Sequence, residues 1–207
     1  TSTDPGFPRD AAAWCNSTGN QLISKETAGG KSVVVIEKGE PKSCNIVTSC
    51  EGKGKTFIMF SDDLDKALAT FVLANGAAAT GQKVTIFFTF WGLNVIKKLH
   101  KPNVEKDIFG KMFGMMLPSS SRKLKLSKMS MGGIGGKMMR YIMNRKGIDS
   151  LESLRQQALE NGVEFIACQM SMDVMGVKQE ELLDEVTIGG VATYMERADN
   201  ANINLFI

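Results

Sequence analysis

Between Glu164 and Gly176 the chain reads EFIACQMSMDVMG, which puts a thiol at the point where an apolar run stops. Phe165, Ile166 and Ala167 are too few for an ordinary helix and read as a buried strand, so Cys168 falls at a strand end, before small and polar residues mixed with methionine. A cysteine there is either a small hydrophobe that finishes a core strand or a thiolate nucleophile or sulfur carrier. No Lys or Arg adjoins it, so a thiolate would draw on backbone dipoles, and the Asp173 carboxylate would oppose it if close. Acyl transfer would require a base, but the single histidine, His100, ends a helical stretch just before Lys101 and Pro102. Cys44 and Cys50 stand six apart with no second pair, which is not a zinc spacing, and no metal is expected.

The elements that must position Cys168 follow a βα rhythm. TFIMF reads as a strand, SDDLDKALATFVLANGAAATG as a helix, KVTIFFTF as a second strand and WGLNVIKKL as a helical stretch. GIGGKMMRYIMNRKG and SLESLRQQALENG read as helices, VEFIAC as the third strand and KQEELLD as a short helix. EVTI is a fourth strand, GGVATYMERADN a helix and NINLFI a closing strand. Strands apolar along their whole length, separated by amphipathic helices, predict an α/β fold with a mainly parallel five-stranded sheet flanked by helices.

Chemistry in such sheets gathers at the carboxyl ends of the strands. That rule brings Ser61, Asp62 and Asp63, then Trp91 and Gly92, then Cys168, Gln169, Met170, Ser171, Met172 and Asp173, then Gly189 and Gly190, to one edge. The expected pocket around Cys168 is shaped by a loop from Gln169 to Met172, by Trp91 and by the Gly189–Gly190 turn. Trp91 serves equally as core or as pocket wall. Asp62 and Asp63 are most simply helix caps and first-turn acids.

Upstream, FPRDAAAWCNSTGN reads as a short helix, and QLISKE and KSVVVIEK as a hairpin around TAGG. Residues 1–38 are too few to enclose a core. KGEPKSCNIVTSCEGKGK, about 39–54, reads as a linker, leaving 55–207 as the main domain. With 207 residues and 43% hydrophobic content, one domain with an appendage is expected. No apolar run approaches the roughly 20 residues of a membrane span, and no secretory leader is recognisable, so a cytoplasmic protein with reduced thiols is expected.

The charge is unevenly spread. Residues 108–148 hold nine Lys or Arg, no Asp or Glu, and eight of the thirteen methionines; the rest of the chain carries a net −6. This basic Met-rich insertion reads as a cover over the sheet edge, a docking surface for proteins, or an interfacial membrane segment. Its MGGIGGK has the spacing of neither a P-loop nor a dinucleotide fingerprint, and a mobile loop is expected there. No nucleic-acid partner is expected.

FIMFSDDLDKALATFVLANGAAATG, TFWGLN, GKMFGMMLP, ACQMSMDVMGVKQEEL and TIGGVATYMERA together resemble the DsrE/DsrF-like sulfur-relay proteins, over about 55–207. The resemblance implies a small α/β domain that oligomerises with its own kind, Cys168 as the residue that carries sulfur as a persulfide, and no metal or cofactor in this chain. The first 38 residues resemble the second half of a TusA/SirA-like domain. That family's Cys-Pro-X-Pro motif is absent, so its sulfur-carrying role is not transferred to Cys15, for which packing is expected. Such fusions imply a longer polypeptide with rhodanese and pyridine-nucleotide disulfide oxidoreductase modules, where any FAD would sit. TusA-like or rhodanese-like carriers are the implied partners. Two other functions stay open: a non-catalytic oligomeric scaffold, and a component of a thiol or CoA-disulfide reductase.

Overall fold

The computed structural model describes residues 11, 12, 15, 20–29, 31–37, 54–100, 102, 104, 106 and 108–207, with the backbone alone for 108, 109, 111 and 113. It divides into two compact units, residues 1–51 and 52–207. In the first, strands β1 (Gln21–Ala28) and β2 (Lys31–Glu37) pair antiparallel around Gly29, whose φ of 59° is the left-handed conformation that glycine tolerates best. Residues 11, 12 and 15 are helical, and Ala11 and Cys15, one turn apart, are both buried. Cys15 therefore packs. Cys44, Cys50 and most of the expected linker lie outside the described residues.

The second unit carries a five-stranded sheet in the order β6-β5-β4-β3-β7, and every neighbouring pair is parallel. Its strands are β3 (Gly54–Met59), β4 (Val84–Phe88), β5 (Glu164–Cys168), β6 (Thr187–Gly189) and β7 (Ala201–Phe206). All five residues of β4 are buried, as a central parallel strand covered on both faces requires. One face meets α1 (Leu64–Ala79), whose buried Leu64, Ala67, Phe71 and Ala74 recur at helical spacing. There Phe71, Phe88 and Phe165 form an aromatic triangle with centroids 5.3–6.4 Å apart. Burying a side chain of that size contributes about 2–3 kcal/mol, and these three rings anchor the core beneath the strand ends.

The Met-rich span folds as α2 (Ile108–Met116), two 3-10 turns and α3 (Ile134–Arg145), followed by α4 (Leu151–Glu160). Ser150 caps α4 by accepting the Ser153 amide at 3.1 Å. Arg140 of α3 pairs with Glu152 of α4 at 3.0 Å and donates to the Ser121 carbonyl at 2.9 Å. Of the four glycines expected to form a mobile loop, Gly132 and Gly133 hold positive φ in the turn before α3, whereas Gly135 and Gly136 lie within α3 as close-packing positions. A Cβ on Gly135 would stand 2.1 Å from the Met129 carbonyl oxygen, so only glycine lets α3 approach that backbone.

Three further expectations are corrected. The helical stretch expected over WGLNVIKKL is a 3-10 helix, Phe90–Ile96, and not an α-helix: Gly92 to Ile96 are all buried, and Trp91 is its exposed residue. KQEELLD contracts to one 3-10 turn, Gln179–Glu181. No loop follows Cys168, because α5 (Gln169–Met175) starts at once and ends at Gly176 with a φ of 60°. The last helix, α6 (Val191–Asp199), leads into β7.

Candidate functional site

Strand alternation decides which way Cys168 faces. Phe165 and Ala167 point into the large core, whereas Ile166 and Cys168 join Phe87 and Tyr194 in a small cluster on the opposite face. Tyr194 is the single buried residue of α6. Its ring lies 5.2 Å from that of Phe87, and its hydroxyl is 3.3 Å from the Thr56 hydroxyl. Cys168 is thus a free thiol, 2% exposed, under a layer that α6 covers thinly.

The backbone around it is shaped by glycine. Cys168 is in register with Gly189 across the parallel pair β5–β6. A Cβ on Gly189 would fall 2.8 Å from Ile166 Cγ2 and 3.3 Å from Thr193, so a side chain there would force strand and helix apart. Gly190 follows as the residue capping α6 and is exposed, and a Cβ on it would meet nothing within 4 Å.

Other residues expected at this edge are divided among three places. Gln169, Met172 and Asp173 line a cleft of about 370 Å³ with Gly176, Lys178 and Ile188, and Gln169 donates to Asp173 at 2.9 Å. Cys168 is absent from that lining. Ser171 is fully buried, its hydroxyl 2.8 Å from that of Thr89, which ties α5 to the end of β4; Met170 is exposed. Trp91 is 42% exposed, so it belongs to a surface and not to the core. Gly92 is buried because the chain passes so close that a Cβ would lie 1.9 Å from the Met59 carbonyl oxygen.

At the end of β3, Ser61 donates to Asp63 at 2.7 Å, and Lys66 pairs with Asp63 at 2.9 Å. Asp63 occupies the N-cap position of α1, but its side chain makes no capping hydrogen bond. Asp62 turns elsewhere, accepting from Asn94 Nδ2 at 2.9 Å. Burial pushes its carboxyl above the ordinary aspartate range against the Asn94 hydrogen bond, with Asp63 adding to the rise. Asn94 is itself fully buried, and its Oδ1 has no hydrogen-bond partner.

Sequence reasoning missed the aromatic residues here. Phe60 lies 5.4 Å from Phe90 and 5.6 Å from Phe206, joining the ends of β3, β4 and β7. Phe90 holds a φ of 46°, which non-glycine residues rarely adopt. Reading the closing strand as a neighbour of TFIMF would have brought Phe60 and Phe206 together. Among the described residues, no group of three or more His, Cys, Asp or Glu could hold a metal ion.

The profile of the DsrE/DsrF/DrsH-like family matches residues 52–206. The uncharacterized protein YrkE of Bacillus subtilis is 44% identical over 155 residues, covering 75% of this chain and 97% of that protein. The sulfur carrier protein DsrE2 of Allochromatium vinosum is 38% identical over 161 residues, covering 76% of this chain and 99% of its own. Among solved structures, the ychN protein from E. coli is 10% identical with a TM-score of 0.43, covering 74% of this chain and 99% of its own. The family match includes β3 to β7 and the strand end that bears Cys168, and on it this chain belongs to the DsrE/DsrF/DrsH-like family.

Proposed function

We propose that the chain is a sulfur carrier in which Cys168 accepts a sulfane sulfur from a partner's persulfide and passes it on. The observation that carries this reading is a free cysteine at the carboxyl end of a parallel strand, in a chain 38% identical to a protein named as a sulfur carrier. The Cys168 thiolate attacks the outer sulfur of the donor persulfide, the donor's S–S bond breaks, and the donor leaves as a thiolate. Cys168 then holds the persulfide, and the same exchange in reverse delivers it to an acceptor thiolate. Thiol and persulfide merely change places, so the cycle needs no external oxidant or reductant.

Access must pass the thin face. α6 buries one residue, and Gly189 and Gly190 place no side chain beside Cys168, so displacing that turn is the shortest route for a partner's sulfur. Partners of the TusA-like or rhodanese-like kind, a homo-oligomer and a cytoplasmic setting belong to this reading, as does a TusA/SirA-like origin for the first unit.

The burial of Cys168 among Phe87, Ile166 and Tyr194 favours a second reading, a scaffold in which the thiol is only a core residue. Intact mass spectrometry after incubation with a persulfide donor separates the two. The carrier gains the mass of one sulfur, removable by thiol reductant, and Cys168→Ser gains none. A folded wild type that gains nothing makes the cysteine a core residue.

A further inference from the structure

We propose that the outward face of α3, with the turn before it, is a docking surface for an anionic lipid bilayer. This surface is separate from Cys168 and does not depend on the sulfur-carrier reading.

The helix is amphipathic in the reverse sense for a surface helix. It packs inward through Gly135, Gly136 and Met143, and leaves Ile134, Met138 and Tyr141, at i, i+4 and i+7, in solvent at 63%, 47% and 64% exposure. The preceding turn adds Met129 and Met131, 70% and 67% exposed. Both hold positive φ, 57° and 42°, so the backbone adopts an unfavourable conformation where these apolar side chains are presented.

Charge identifies the occupant. Residues 108–148 contain nine cationic side chains and no acidic one. Lys123, Lys125, Lys128, Lys137 and Arg145 are all exposed. A second copy meeting this surface face to face would oppose cation to cation. A bilayer interface takes both kinds of group at once: acyl chains receive Met, Ile and Tyr, while anionic headgroups receive lysine heads on extended stems. At 12 residues α3 is about 18 Å long, short of the roughly 30 Å hydrocarbon core, so it lies in the interface and does not cross. Among the described residues no helix is long and apolar enough to cross a membrane.

The test is flotation of the full chain with vesicles of phosphatidylglycerol and phosphatidylcholine, beside vesicles of phosphatidylcholine alone. Binding at low salt is expected to favour the anionic vesicles by about ten-fold or more and to weaken as salt rises. The triple change Lys123→Glu, Lys125→Glu and Lys128→Glu is expected to lower it about a hundred-fold, and Met138→Ser with Tyr141→Ser about ten-fold. Circular dichroism checks that each variant folds. Independently of these changes, Tyr141→Trp is expected to show a blue-shifted emission on anionic vesicles. Equal binding to both vesicle types overturns the proposal. So does salt-sensitive binding with no emission shift and no response to the serine pair, which would indicate an electrostatic contact of the kind an acidic protein provides.

Discussion

Cys168 and Gly189 stand opposite each other across β5 and β6, and the missing side chain on Gly189 is what allows the short edge strand to lie against the strand that ends in the thiol. A methyl group there would meet Ile166, a member of the same small cluster as Cys168, and Thr193 at the start of α6. Gly189→Ala is therefore expected to lower stability by about 1–3 kcal/mol, the range for overpacking a core position. Urea unfolding should show a lower midpoint, whereas Gly190→Ala, where a Cβ meets open space, should change it little.

Much of this arrangement could be read from the sequence because parallel strands declare themselves. VTIFF is apolar at every position except Thr85, and flanking helices with period 3.6 leave little choice but a covered sheet. The rule that chemistry gathers at strand ends located Cys168, but it could not say which face the thiol takes. That is set by how β5 pairs with β4 and β6, since a one-residue slip in register turns every side chain over, and a strand apolar on both faces does not declare its register. The stretch after Cys168 was misread because QMSMDVM mixes polar and flexible residues with no long apolar stripe, and α5 buries only Ser171, Met172 and Met175. The glycines at 92 and 135 could not be interpreted locally, as each is set by a backbone from elsewhere in the chain, Met59 and Met129 respectively.

Asp62 supports a prediction about pH. Burial raises its carboxyl above the ordinary aspartate range, so the folded protein holds that proton more tightly than the unfolded chain. The sign follows from linkage: as pH rises through the ordinary aspartate range the unfolded chain loses the proton first, and stability falls until the folded carboxyl has also ionised. Asp62→Asn removes this penalty, and its amide can donate to Asn94 Oδ1, which lacks a partner. The variant is expected to gain on the order of 1 kcal/mol at neutral pH. At a pH below the ordinary aspartate range the gain should vanish, which paired urea titrations at the two pH values would test. A variant less stable than wild type at neutral pH would mean that the charge itself holds the turn after β3.

Glu164, at the other end of β5, has the opposite sign. Arg197 of α6 reaches it with two nitrogens, at 2.9 and 3.2 Å, and the Thr85 hydroxyl donates at 2.9 Å. The Arg197 hydrogen bonds hold its carboxyl below the ordinary glutamate range against partial burial. A lowered acid contributes stability that is present above the unfolded value and lost as pH falls through the folded one, so this part of the acid limb lies below the ordinary glutamate range. Both side chains are 28% exposed, and Arg197 keeps a second carboxylate, Glu196, at 3.2 Å, so the contribution is only about 0.5–1 kcal/mol. Glu164→Gln should lower stability by that amount at neutral pH and flatten the acid limb. It should also speed hydrogen exchange in α6 more than in α1, because the pair fastens to β5 a helix that otherwise buries one residue. Equal exchange in the two helices, with a changed urea midpoint, would mean that the pair supports the sheet as a whole and does not hold down the layer over Cys168.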